Sequence, residues 1–80
     1  MTEVEMQEKV TIEGIDYCVL VHEASESSYC HIEHLGEGLN ASIDAVAHDG
    51  GWLRDDGSLV PCEKRTLKSL CEVAEEMGYL

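Results

Sequence analysis

Eighty residues hold one domain, and a chain of this length buries only about 60% of its unfolded surface, so its core is marginal. Seventeen acids against five bases leave a formal charge of −12, which argues against direct binding to nucleic acid or an anionic membrane, because both rest on Lys/Arg patches. A 44% apolar fraction argues against disorder. No apolar run nears the length of a membrane helix, and the acidic start MTEVEMQEKV lacks the features of a secretory signal, so a cytoplasmic protein with reduced thiols is expected.

Residues 1–8 read as a polar, frayed leader. Residues 9–13 alternate, Val10 and Ile12 against Lys9, Thr11 and Glu13, and predict a short first strand. Gly14 turns the chain or admits a bulge into a second strand over residues 15–23. There Tyr17, Val19 and Val21 share one face and Cys18, Leu20 and His22 the other. The Ser/Glu-rich stretch 24–28 is a hairpin loop. The third strand is residues 29–35, with Cys30, Ile32 and His34 opposite Tyr29, His31 and Glu33.

Residues 40–48 (NASIDAVAH) alternate well enough to favour a fourth strand, although the alanines and Asn40 leave a helical turn open. Residues 52–54 and 58–60 form a small hairpin around Asp55-Asp56-Gly57, and Pro61 ends it. Residues 62–77 are the one helix. Leu67, Leu70, Cys71, Ala74 and Met77 form a single apolar stripe, and Gly78 stands where a C′ glycine belongs. The chain therefore predicts one two-layer α+β domain over residues 1–80. An antiparallel meander of about five short strands, within residues 9–60, is covered on one face by the C-terminal helix. The other face is left open.

The five bases are Lys9, Arg54, Lys64, Arg65 and Lys68. Between Lys9 and Arg54 lie eight acids and no Lys or Arg: Glu13, Asp16, Glu23, Glu26, Glu33, Glu37, Asp44 and Asp49. The helix carries three bases in its first two turns and Glu72, Glu75 and Glu76 near its end, against the helix dipole. Strand residues two apart project about 6.7 Å apart, and phosphates on one strand of a duplex advance about 3.4 Å. A row of such carboxylates can match every second phosphate and compete for a basic channel. The eight acids are the expected partner-binding residues, with Tyr29 or Trp52 as an exposed aromatic anchor.

In size, acidity and α+β reading the chain resembles the small phage-encoded decoy inhibitors: anti-CRISPR proteins, the uracil-DNA glycosylase inhibitor and anti-restriction proteins. That resemblance covers the whole chain as composition, with no shared motif. It implies a DNA-mimic inhibitor that occludes the nucleic-acid-binding surface of a basic protein or ribonucleoprotein complex. The other expectations are a generic interaction domain, monomeric or homodimeric, and a zinc or redox protein.

The last draws on Cys18, His22, Cys30, His31, His34, His48, Cys62 and Cys71, but no C-x2-C knuckle supports a metal. If paired residue numbers in the central hairpin sum to about 52, Cys18 faces His34 and His22 faces Cys30. One zinc cannot span those pairs, which lie about 13 Å apart. No cofactor is expected. Gly36-Glu37-Gly38 is followed by no lysine and is not a phosphate loop. Ser27, Ser28, His31 and Glu33 could be read as a triad, but neighbours in one hairpin cannot by themselves supply an oxyanion hole and pocket, so no enzyme is expected.

Overall fold

The computed structural model of the chain describes residues 4–23 and 28–79, with the side chains of all of these except Val4 and Glu23. It is an α+β domain. Four antiparallel strands lie in chain order in one sheet: β1 (Val4–Ile12), β2 (Ile15–Glu23), β3 (Ser28–His34) and β4 (Leu39–Ser42). Helix α1 (Ile43–Asp49) follows. A two-stranded ribbon, β5 (Gly51–Leu53) and β6 (Leu59–Pro61), leads into helix α2 (Lys64–Glu76). The strands are thus a meander of four plus a separate ribbon, not one meander of about five. The inner face of the sheet is covered by α1, the ribbon and α2 together, not by the C-terminal helix alone.

β1 begins at Val4, so residues 4–8 are strand and not leader. β2 supplies a ladder partner for every one of them, from Val4 opposite Glu23 to Glu8 opposite Val19. Pairing along a nine-residue strand outweighs the poor strand propensity of the glutamates. The strands join through Glu13 and Gly14, both at positive φ (52° and 81°), the signature of a two-residue I′ turn that matches the twist of the strands.

The β2–β3 register differs by one residue from the expected pairing. Tyr17 faces His34, Cys18 faces Glu33, Val19 faces Ile32, Val21 faces Cys30 and His22 faces Tyr29. A one-residue slip exchanges faces. The observed register puts Tyr17, Val19 and Val21 on the same side as Cys30, Ile32 and His34, and all six are buried. The alternative would set Val19 and Val21 with His31 and Glu33, dividing the apolar set between two faces. Burial therefore selects the register. Residues 24–27, most of the expected loop, lie outside the described residues.

Residues 40–48, read as a strand, divide instead. β4 ends at Ser42, whose hydroxyl accepts a hydrogen bond from the Ala45 amide at 3.1 Å and caps α1. Ile43 and Val46, three apart, point into the core, while Ala47 is exposed. A cap and a three-residue apolar spacing thus override the alternation.

Trp52 joins the two layers. It is completely buried, and its indole N–H donates to the Ile32 carbonyl of β3 at 3.1 Å. Its ring stacks on Tyr17 (5.7 Å, 19°) and meets His34 edge to face (5.4 Å, 89°). The expectation of Trp52 as an exposed anchor is overturned: the ribbon carries it inward. Gly51 makes this possible, because a Cβ there would lie 2.0 Å from the Val60 carbonyl oxygen. α2 adds Thr66, Leu70 and Ala74, and Met77 just beyond it, to the core. It ends in a Schellman motif, with Gly78 at φ 105°. The Gly78 amide bonds the Glu75 carbonyl (3.0 Å), and the Tyr79 amide bonds that of Ala74 (2.9 Å). Tyr79 then packs back on the core.

Trp52→Phe keeps most of the apolar volume but leaves the buried Ile32 carbonyl without its donor. It lowers unfolding free energy by about 2–4 kcal/mol, measured by urea unfolding followed by far-UV circular dichroism. Gly51→Ala forces β5 and β6 apart and costs at least about 2 kcal/mol in the same assay.

Candidate functional site

The outer face of the sheet carries no covering element among the described residues. Strand alternation and register lay its side chains in rows: Glu5, His22 and Tyr29; Gln7, Leu20, His31 and Ser42; Lys9, Cys18, Glu33 and Asn40; Thr11 and Asp16. Over the first three rows lies an open groove of about 250 Å³, lined by Glu5, Leu20, His22, Tyr29, His31, Glu33 and Asn40. Its wall is aromatic. The Tyr29 ring stacks on His22 (4.7 Å, 10°) and stands edge to face with His31 (5.4 Å, 84°). Tyr29 is 48% exposed, in keeping with its expected place on the surface. The Glu5 carboxylate lies 3.8 Å from His22 Nδ1 at one end, and Glu33 with Asn40 lies at the other.

The eight carboxylates singled out in the sequence do not form one row. Asp16 and Glu33 share the outer face, where Asp16 accepts a hydrogen bond from Thr11 at 2.5 Å. Glu13 sits in the β1–β2 turn and pairs with Arg65 at 3.0 Å. Glu37 follows β3 and pairs with Arg54 at 2.7 Å. Asp44 is exposed in the first turn of α1, and Asp49 closes that helix beside His48 Nδ1 at 3.0 Å. The side chain of Glu23, and the whole of Glu26, lie outside the described residues.

The two arginines thus act as clasps. Arg54 ties the ribbon to the β3–β4 turn and also donates to the Ser58 hydroxyl (3.2 Å). Arg65 ties the start of α2 to the β1–β2 turn, bonding Glu63 as well (3.0 Å). This accounts for a base in the first turn of α2, where the helix dipole disfavours it. The Arg54 guanidinium holds the Glu37 carboxyl below the usual glutamate range. The Ser58 hydroxyl and backbone amide do the same for Asp56.

The cysteines are free. Burial pushes the Cys30 thiol up to about 11, and Cys71 and Asp44 add to the effect. Cys62 and Cys71 are likewise raised, chiefly by burial. These thiols stay protonated at neutral pH and are poor nucleophiles. Among the described residues no group of three or more His, Cys, Asp or Glu side chains is placed to hold a metal ion. No helix among them is long and apolar enough to cross a membrane.

Sequence reasoning missed Glu5, His22 and His31 as members of one site. Glu5 fell in the stretch read as leader, although the alternation of Val4 and Met6 with Glu5 and Gln7 carried the strand signal. His22 was paired with Cys30 through the one-residue register error. What the fold and groove define is a small two-layer α+β domain with an open, acid-flanked aromatic sheet face. The chain matches no protein-family model, no curated protein and no solved structure.

Glu37→Gln tests the Arg54 clasp. The folded-state pKa of Glu37 is depressed, so its contribution is full above the ordinary glutamate range and is lost as pH falls through the lowered value. The variant is less stable than the wild type at pH 7 in thermal unfolding, and the gap narrows as pH falls below the ordinary glutamate range.

Proposed function

We propose that the chain is a small acidic protein-binding inhibitor that covers a basic surface of a partner protein or ribonucleoprotein complex, acting by occlusion and not by chemistry. The observation that carries this reading is a charge surplus that folding leaves unneutralised. Of five bases, Arg54 and Arg65 are engaged in turn clasps, and the outer face of the sheet presents Glu5, Asp16 and Glu33 against Lys9 alone. A net charge of −12 on 80 residues destabilises a compact chain, and a cationic partner relieves that repulsion. A surface that otherwise holds nucleic acid is the natural class of such a partner. Resemblance in size, acidity and fold class to anti-CRISPR and other DNA-mimic decoys supports that choice. The means differs from a row spaced like phosphates: an open sheet face, ringed by acids, docks as a surface. Among the described residues β1 leaves a nine-residue edge free, but pairing two such acidic chains along it brings like charges together.

The test is affinity capture from a nuclease-treated bacterial lysate at about 50 mM and about 500 mM salt, with the wild type and a Glu5→Lys/Asp16→Lys/Glu33→Lys variant. The expected result is capture of a basic nucleic-acid-binding protein at low salt, release at high salt, and loss of capture by the variant, whose circular dichroism is unchanged. Capture that is indifferent to salt and to the three reversals, or no basic protein captured at low salt, rejects the reading.

A further inference from the structure

We infer that the groove on the outer face of the sheet is a recognition site for an arginine side chain of the partner, an inference that rests on the proposed docking of a basic surface. The argument begins with size. A volume of about 250 Å³ falls below the roughly 300–1,000 Å³ of sites for drug-sized ligands. It suits one long side chain entering from another protein.

The chemistry of the lining then selects that side chain. Tyr29 offers an exposed aromatic surface, held in place by its stack on His22 and its edge contact with His31. A cation over such a ring is attracted by the ring quadrupole, and a planar guanidinium also stacks on it. Glu5 at one end and Glu33 at the other supply carboxylate acceptors, and Asn40 adds a neutral amide. Leu20 floors the groove and suits an apolar stem. An ammonium group is a compact, strongly hydrated point charge that gains less from the aromatic wall. A guanidinium uses the wall and both acids, through donors fixed in a plane. An anionic or purely apolar occupant would leave the two carboxylates facing like charge or unsolvated.

The three strands that build the site also set its geometry. Tyr29 and His22 face each other across β3 and β2, and Glu5 stands opposite His22 on β1. The recognition elements are therefore held by ladder pairing and not by a loop, so the site is preformed.

The test compares hexa-arginine and hexa-lysine peptides, equal in length and charge, by isothermal titration at about 50 mM salt. The wild type is expected to bind hexa-arginine about three- to tenfold more tightly than hexa-lysine. Tyr29→Ala is expected to abolish that preference, while Tyr29→Phe retains it. Glu5→Gln/Glu33→Gln is expected to weaken hexa-arginine more than hexa-lysine. Tyr29 is on the surface, so its variants keep the fold, and the Phe variant controls for it. Equal affinity for the two peptides, or a preference that survives Tyr29→Ala, overturns the groove as an arginine site and leaves the acidic-inhibitor reading standing. If neither peptide binds, both fall.

Discussion

The contact between the Trp52 indole and the Ile32 carbonyl is the constraint around which this domain is arranged. A chain of 80 residues without phenylalanine has few large groups with which to fill a core. It places its one tryptophan between the sheet and the ribbon, satisfies the N–H on β3, and stacks the ring on Tyr17 with His34 at the edge. Burying an indole releases a large apolar area, but only if its N–H finds an acceptor. That requirement fixes where β5 lies over the sheet. The closeness of Gly51 to the β6 backbone, and the return of the chain into α2, follow from it. Val19, Val21, Ile32, Val46 and Leu70 complete the core around this point, all of them shielded from water.

Charge shapes the surface in the same way. The chain carries more negative charge than its stability would favour, and its two arginines are spent at turns. One joins the ribbon to the β3–β4 turn and the other joins α2 to the β1–β2 turn. Exposed ion pairs contribute little singly. Their placement at both junctions nevertheless relieves repulsion where acidic loops converge. Neither arginine belongs to the outer face of the sheet, where Lys9 is the one Lys or Arg in the described rows.

That face combines features seldom found together on a covered sheet. An aromatic and histidine wall is bounded by carboxylates, and it is built on paired strands. Under the proposed reading, charge would draw a basic partner and steer the encounter, and stacking with directed acceptors would distinguish one basic side chain from another. The two levels are separable: the first depends on net charge and salt, the second on Tyr29, Glu5 and Glu33. The proposed decoy would compete with a polynucleotide by covering its site, without reproducing the spacing of its phosphates.

Much of this was legible in the residues. The apolar alternation of Tyr17, Val19 and Val21 marks β2 to its ends. The stripe of Leu67, Leu70, Cys71, Ala74 and Met77 marks α2, and Gly78 its Schellman close. Each of these signals is local, and local periodicity reports which face of an element is apolar. The sequence by itself therefore determined the α+β class, the C-terminal helix, a sheet face that none of the described elements covers, and the excess of acid. Tertiary structure decided the β2–β3 register, because pairing Val19 with Ile32 or with a polar neighbour differs only in what is buried once both strands are present. It decided that Trp52 turns inward, since only the sheet supplies the Ile32 carbonyl. It divided the acids into clasps and outward-facing groups, because ion pairs such as Glu13 with Arg65 join residues far apart in the chain. And it drew Glu5, His22, Tyr29 and Glu33 from three strands into one groove, a proximity that no single stretch of the chain contains.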